Sequence, residues 1–252
     1  MMSEMKHKDF YLQLADTLLI LGQRLAEWCG HGPAIEEDIA LSNISLDYIG
    51  QATSLYKEVA AQMNEGKTED DYAFLREERE FKNILLAELP KGDYAFTIAR
   101  QFLFSTWYYH FLESLEKSQD AFLQGFAAKS LKEVRYHFQH SRDWVLRMGG
   151  GTETSHTYLQ NAVNEIWTYT GEMFRPSPQE IEALNDGVGV DVSQLFESFD
   201  RITSAVFAEA NIEVPKDVWM QTGGKLGTHT EGFGFMLAEM QYLPRLYPNS
   251  QW

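Results

Sequence analysis

Residues 35–63 read IEEDIALSNISLDYIGQATSLYKEVAAQM, and this stretch decides the fold. Apolar or small side chains recur at intervals of three and four along its whole length, at Ile35, Ile39, Ser42, Leu46, Ile49, Thr53, Tyr56, Ala60 and Met63. That spacing keeps the side chains on one face of an α-helix of about eight turns. The preceding Gly-His-Gly-Pro at 30–33 is typical of one helix ending and the next beginning. The stretch therefore predicts a long helix that packs through one face.

Helical spacing continues on both sides of this stretch. We predict further helices over residues 10–28, 74–85, 94–117, 120–148, 152–173 and 195–206, and a last helix that begins at Thr228 with Glu231 in a capping box. Alternating strand patterns and Asn-Gly hairpin turns are missing from the sequence. The chain is therefore predicted to be all-α, a long antiparallel helical bundle that forms a single domain over residues 1–252.

The composition argues against two classes of function, nucleic-acid binding and action within a membrane. The 252 residues include 21 Lys and Arg against 37 Asp and Glu, which gives a formal net charge of −16 at pH 7. Because phosphate contacts need a basic surface, this balance argues against nucleic-acid binding. No apolar run approaches the ~20 residues that cross a bilayer. Residues 1–10 lack an apolar signal core, so we expect a cytoplasmic protein without a membrane partner.

Carboxylates and histidines on two predicted helices call for comparison with a carboxylate-bridged di-iron site. Such sites in helical bundles use Glu-x-x-His pairs, because residues three apart share a helix face. On one helix Asp47 takes the carboxylate position, but Gly50 stands where the histidine belongs. On another, His137 is present, but Val134 replaces the carboxylate and Glu133 lies one residue earlier.

Two incomplete pairs supply too few ligands for octahedral iron with open positions. We interpret Asp47, Glu133 and His137 as degenerate di-iron positions and expect no metal-binding, catalytic or cofactor-binding residue in this chain. The alternative is an independent ferritin-like di-iron oxygenase or iron-binding protein that uses these three residues.

Two other sequences are candidates for contact with a partner protein. Residues 107–111, WYYHF, cannot place every ring on one side of a helix, so an aromatic side chain such as Trp107 is expected at an interface. The alternative is a central helix that is buried on both sides. The sequence Gly-Gly-Lys at 223–225 lacks the spacing of a phosphate-binding loop, and we predict an exposed loop where two subunits meet, with Lys225 as the contact residue.

Several longer strings resemble one protein family. They are QRLAEWCGH at 23–31, DIALSNI at 38–44 with Leu46-Asp47, REF at 79–81, TIARQ at 97–101, KEVRYH at 132–137, TGGK at 222–225, HTE at 229–231, LAEMQYL at 237–243 and the final Gln251-Trp252. Together, nearly end to end, they resemble the PaaC-type subunits of ring-1,2-phenylacetyl-CoA epoxidase, a multicomponent oxygenase of phenylacetate degradation.

The resemblance implies a ferritin-like bundle that acts as a non-catalytic structural subunit. In that family the chain pairs with a catalytic subunit that holds the di-iron centre and the phenylacetyl-CoA. The complex is an NADPH- and O2-dependent monooxygenase, with FAD and an iron–sulfur cluster in its reductase subunit. The resemblance implies no cofactor in this chain and leaves open whether it also pairs with a second copy of itself inside the hetero-oligomer.

Overall fold

The computed structural model describes residues 5–248 and 250, so the family-like Gln251-Trp252 lies outside the described residues. Within them the chain forms ten α-helices and no β-strand: α1 (Lys8–Ala26), α2 (Ile35–Met63), α3 (Glu69–Phe74), α4 (Leu85–Glu88), α5 (Tyr94–Leu115), α6 (Ala121–Gly149), α7 (Glu153–Ile166), α8 (Pro178–Asn185), α9 (Leu195–Glu209) and α10 (Phe233–Leu246). The prediction of an all-α, ferritin-like helical bundle is confirmed, and the single domain over residues 1–252 stays a prediction.

Two helix pairs make up most of the bundle. α1 packs along α2 and α5 packs along α6, while α7 and α9 cover other sides of α5. Every residue from Ala95 to Tyr108 is buried, so α5 runs through the middle of the core. A helix that is surrounded in this way needs no polar face, which explains the dense aromatic and aliphatic sequence of α5.

The contact between α1 and α2 is close because Gly22 has no side chain. A Cβ atom at Gly22 would lie 2.8 Å from Ile49 Cγ1. Ser45 Oγ donates a hydrogen bond over 2.8 Å to the Gly22 carbonyl. Further along the pair, the hydroxyl of Tyr56 on α2 donates over 2.6 Å to the buried carboxylate of Asp16 on α1. One face of α2 is therefore fixed against α1 over most of its length.

The predicted apolar stripe of α2 is only partly in the core, so this expectation is wrong for its first half. Ile35, Ile39 and Leu46 are 76%, 55% and 65% exposed, whereas Tyr56 is 1% exposed. The stripe repeats every 3.5 residues while an α-helix turns every ~3.6, so it moves around the helix by about 20° per heptad. The core-facing residues of the first half are Leu41, Ile44, Ser45 and Tyr48.

Residues 64–93 join the two helix pairs, and they do not form the helix predicted over residues 74–85. α3 ends at Phe74, and only a 3₁₀ turn and the short α4 follow. Arg76 explains the irregular path, because Nε donates to the Tyr72 carbonyl (2.6 Å) and Nη1 to the Glu80 carbonyl (3.0 Å). Its guanidinium also pairs with the buried Asp16 of α1. This tertiary ion pair overrides the local helical pattern.

Candidate functional site

A network of phenols and amides occupies the space between α2, α5 and α6. Gln101 Nε2 donates to the hydroxyl of Tyr48 over 2.7 Å. The hydroxyl of Tyr108 donates to Gln51 Oε1 over 2.9 Å, and Gln51 Nε2 donates to Glu133 Oε2 over 2.7 Å. Tyr48, Gln51, Gln101 and Tyr108 are all buried, so the network forms part of the core.

The ring of Tyr48 fills the centre of this region. Its centroid lies 4.7 Å from that of His137, 5.6 Å from that of Phe104 and 6.3 Å from that of Tyr108. Burial raises the pKa of the Tyr48 and Tyr108 hydroxyls, so both phenols stay neutral. Neutral phenols and amides that already bond to one another bring no negative charge to balance two iron ions.

The three degenerate di-iron positions do not converge on one point. His137 Nε2 lies 2.9 Å from Asp47 Oδ2, whereas Glu133 accepts its hydrogen bond from Gln51. Among the residues that the structure describes, no three His, Cys, Asp or Glu side chains lie close enough to hold a metal ion. This side-chain set does not fit a di-iron centre.

Asp47 and Gly50, the incomplete pair on α2, do not lie on the face of that helix that points into the core. The Asp47 side chain is 36% exposed, and a Cβ atom added at Gly50 would meet nothing within 4 Å. A histidine at position 50 would therefore point away from the core. The pair that does face the core, one residue further along the chain, is Tyr48 and Gln51. On α6 the core-facing pair is Val134 and His137, as the sequence comparison assumed.

His137 bonds to Asp47 as a neutral imidazole and not as an imidazolium ion. Burial lowers the pKa of its imidazole below the ordinary value, although the hydrogen bond to Asp47 acts in the opposite direction. Nδ1 is buried and finds no hydrogen-bond partner in the described part of the chain, so a proton on it would be unsatisfied. The neutral ring therefore donates from Nε2 to Asp47.

Trp107 is not available for contact with another subunit, which corrects the prediction made for it. The side chain is 3% exposed and lies between Phe104 and Phe111, with ring centroids 5.7 Å and 5.2 Å away. The reason is the central position of α5, which has other helices on several sides. The alternative of a helix buried on both sides is the correct interpretation of the aromatic run.

Lys225 is also buried, at 3% exposed, so the prediction of an exposed contact loop is wrong. Its ammonium lies 2.9 Å from Glu180 Oε2 and 3.0 Å from Oε1, and it donates to the Arg175 carbonyl over 3.0 Å. A second buried carboxylate, Glu172, accepts from the backbone N–H of Gly223 (2.7 Å) and of Leu85 (2.8 Å). These two carboxylates hold the Gly-Gly-Lys loop inside the protein.

The segment before α10 is held in the same way. His229 Nδ1 lies 2.7 Å from Glu88 Oε2, and its Nε2 lies 3.1 Å from the Phe81 carbonyl oxygen. Both the His229 and Glu88 side chains are fully buried. Because these contacts set the path of the backbone, α10 begins at Phe233, and the capping box predicted at Thr228 does not form. No local signal reveals a pairing between residues 141 positions apart.

None of the described helices combines the length and the apolar character required to cross a membrane.

Comparison with known proteins identifies the family. The family model described as "Phenylacetic acid catabolic protein" matches residues 2–252. The chain is 44% identical to the C-type subunit of 1,2-phenylacetyl-CoA epoxidase from Escherichia coli (strain K12), over 243 residues that cover 96% of this chain and 98% of that protein. The chain therefore belongs to the phenylacetic acid catabolic protein family and, as its sequence motifs predicted, to the PaaC type within it.

Proposed function

We propose that this chain is a non-catalytic structural subunit of a multicomponent phenylacetyl-CoA ring epoxidase, and that it pairs with and stabilises the di-iron catalytic subunit. The observation that carries the proposal is the hydrogen bond between Gln101 and Tyr48 at the centre of the bundle. It puts a neutral amide and a bulky phenol in the core of the bundle, whereas di-iron proteins of this architecture fill that space with inward-projecting carboxylates. The similarity to a PaaC-type epoxidase subunit along almost the whole chain supports the same assignment.

Under this proposal the redox chemistry belongs to other chains of the complex. The di-iron centre and the substrate are held by the catalytic subunit, and electrons from NADPH arrive through FAD and an iron–sulfur cluster in a reductase subunit. The contribution of this chain is mechanical and takes place in the cytoplasm. The chain is expected to form a rigid body, because α5 is buried in its centre and α1 packs closely against α2. A partner bundle that binds this body can keep its iron-binding geometry.

Co-expression tests the role directly. The catalytic subunit is produced with and without this chain, and its soluble yield, iron content and epoxide formation are measured. We expect the catalytic subunit alone to lose solubility or iron, and this chain to restore both. A catalytic subunit that is equally soluble, iron-loaded and active on its own contradicts the proposal.

The alternative function, an independent ferritin-like di-iron oxygenase or iron-binding protein, is tested by a separate measurement. Its support is the hydrogen bond between Asp47 and His137, a carboxylate–imidazole pair on two neighbouring helices. Metal analysis of the purified chain separates the two functions. A content near two irons per chain that is lost on His137→Ala favours the alternative, and a content at the level of the buffer blank favours the structural subunit.

A further inference from the structure

Positively charged side chains surround one groove of this acidic protein. The groove lies where the start of α1 meets residues 66–82, and its volume is about 590 Å³. Five of the 21 Lys and Arg residues of the chain line it, namely Lys8, Lys67, Arg76, Arg79 and Lys82. The acids that line it are Asp9, Asp71 and Glu80. Positive side chains therefore outnumber negative ones at this groove, in a chain whose formal net charge is −16.

Three of these cations, Lys8, Arg79 and Lys82, form no ion pair with a carboxylate among the residues that the structure describes. The Lys82 ammonium donates to the Arg79 carbonyl over 3.1 Å, and this acceptor is neutral. Arg76 differs from them, because the buried carboxylate of Asp16 pairs with its guanidinium. Three positive charges at the groove are therefore available to a ligand.

Two of the three acids at the groove bond to backbone groups and not to these cations. The Asp71 carboxylate accepts hydrogen bonds from the backbone N–H (2.7 Å) and the hydroxyl (3.0 Å) of Thr68. The Glu80 carboxylate accepts from the backbone N–H of Glu77 over 2.6 Å. Both carboxylates thus complete the first turn of a short helical segment, which leaves the unpaired cations without an internal counter-ion.

The position of Lys8 is unfavourable for the helix that carries it. Lys8 is the first residue of α1, where the positive end of the helix dipole repels a cation. Its ammonium lies 5.9 Å from the centre of the Tyr72 ring, and the ammonium of Lys67 lies 5.7 Å from the same centre. Two like charges beside one ring also repel each other. A bound anion would reduce both of these penalties.

The size and the walls of the groove indicate what kind of anion it fits. Small-molecule sites occupy about 300–1,000 Å³, and this groove falls within that range, so a lone phosphate ion would leave most of it empty. Beside the cations, Leu12 and the 48% exposed Leu75 form an apolar wall. A ligand that carries both phosphates and a flat ring matches these two features.

We infer that this groove binds the nucleoside diphosphate group of a nucleotide, with the phosphates at the unpaired cations and the base against the apolar wall. Arginine binds phosphate oxygens through parallel N–H groups, and lysine adds a mobile positive charge. This binding activity goes beyond the structural role proposed above. The same group occurs in free nucleotides, in coenzyme A and in nicotinamide dinucleotides, and the experiment treats these as separate sources.

Titration calorimetry of the full chain with ADP, coenzyme A and NADPH in turn tests the groove, and pyrophosphate serves as the probe that lacks a base. We expect at least one of the three nucleotides to bind with a Kd below about 1 mM at physiological ionic strength. Pyrophosphate should bind at least about tenfold more weakly than that nucleotide. Added salt should weaken binding, because it screens exposed charges.

Lys8→Gln and Arg79→Gln each remove one unpaired cation, and each should weaken nucleotide binding by about tenfold or more. Neither should lower the unfolding midpoint, since Arg79 is exposed and Lys8 opposes the dipole of its helix. Arg201→Gln is the matched control, because Arg201 is an exposed arginine on α9 that forms no ion pair within the described part of the chain. We expect this control to leave the Kd within about threefold of wild type.

Four results would overturn the inference and leave the proposed function intact. One is that none of the three nucleotides binds to wild type. Another is that pyrophosphate binds as tightly as the preferred nucleotide, which would indicate an anion site without a place for a base. A third is that Lys8→Gln and Arg79→Gln bind as wild type does. The last is that Arg79→Gln weakens binding of the catalytic subunit while no nucleotide binds, which would assign the groove to an acidic protein surface.

Discussion

Lys225 and Glu180 form an ion pair that is almost completely closed to solvent. The ammonium lies 2.9 Å and 3.0 Å from the two carboxylate oxygens, and the two side chains are 4% and 2% exposed. Removing one partner leaves the other charge buried without compensation. We therefore expect Lys225→Met to lower the free energy of unfolding by about 3–5 kcal/mol, as measured by urea denaturation.

The double variant Lys225→Met with Glu180→Gln is the control for this prediction. The amide removes the stranded charge, so part of the lost stability should return. A single Lys225→Met that unfolds at the wild-type urea concentration would show that the pair adds no stability.

The Gly-Gly-Lys loop tolerates no side chain at its second residue. A Cβ atom at Gly224 would lie 2.3 Å from the Asn83 carbonyl oxygen and 2.9 Å from the Leu85 backbone nitrogen. Backbone atoms cannot move aside as a flexible side chain can, so Gly224→Ala should destabilise the chain by at least about 2 kcal/mol. The thermal unfolding midpoint measures the effect.

Gly50→Ala is the matched glycine control. A Cβ atom there meets nothing within 4 Å, and the position lies inside α2. Alanine removes the entropic penalty of a helical glycine, so this variant should gain up to about 1 kcal/mol. Similar losses in both variants would contradict the steric account.

The stability of the chain should fall in mild acid partly because of His137. Burial depresses the imidazole pKa in the folded state below the ordinary value of 6.5, so the unfolded chain takes up the proton first. The stability that the neutral His137 imidazole contributes is fully present above the pKa of this residue in the unfolded chain. It is lost as the pH falls below that value. Between about pH 7.5 and about pH 5.5, wild type should lose more unfolding free energy than His137→Gln, which removes the titrating group.

His31→Gln is the control for general effects of removing a histidine, because His31 is exposed. It should follow the wild-type pH dependence in urea denaturation. If His137→Gln has the same pH dependence as wild type, the buried imidazole does not titrate as we predict.

The isolated chain should be indifferent to iron. A ligand that binds only the folded state raises the unfolding temperature in proportion to its binding free energy. Because phenols and amides of the central network bond to one another, we expect the calorimetric midpoint to be the same with anaerobic ferrous ion and with a chelator. A midpoint that rises with ferrous ion and drops with the chelator would point to a functional metal site.

The sequence predicts those helices whose ends are set locally. The segments predicted at 94–117 and 120–148 correspond to α5 and α6, where Asp93 and Asp120 accept hydrogen bonds from the first-turn backbone. The helix predicted over residues 152–173 begins as α7, with Thr152 accepting from the Ser155 N–H, but it ends at Ile166 and two 3₁₀ turns replace its predicted last part. Cap residues and stop glycines act within one turn, so their effects are visible in the sequence.

The parts that the sequence does not predict depend on distant residues. Arg76 pairs with Asp16 across 60 positions, and Glu172 reaches Leu85 across 87. These buried charges decide the path of residues 74–85 against a local helical pattern, and they hold the loop at residues 223–225 inside the protein where an exposed loop was expected. For the candidate site, the residue types already indicated an incomplete metal set. The sequence does not show which face of α2 points into the core, because the helix has two apolar faces. Only the packing of α1 selects between them.

The burial of Glu88 against the segment before α10 has a consequence for biosynthesis. Glu88 accepts hydrogen bonds from Asn83 nearby and from the Thr230 N–H, 142 positions later in the chain. During synthesis the long helices leave the ribosome while this acid still lacks its distant partners. Closure of the bundle over Glu88 must therefore wait until translation has almost finished. A product that stops before Thr222 would retain α1 to α9 but lack α10 and leave Glu88 without its bonds to His229 and Thr230, which would make it a substrate for proteases rather than a smaller working protein.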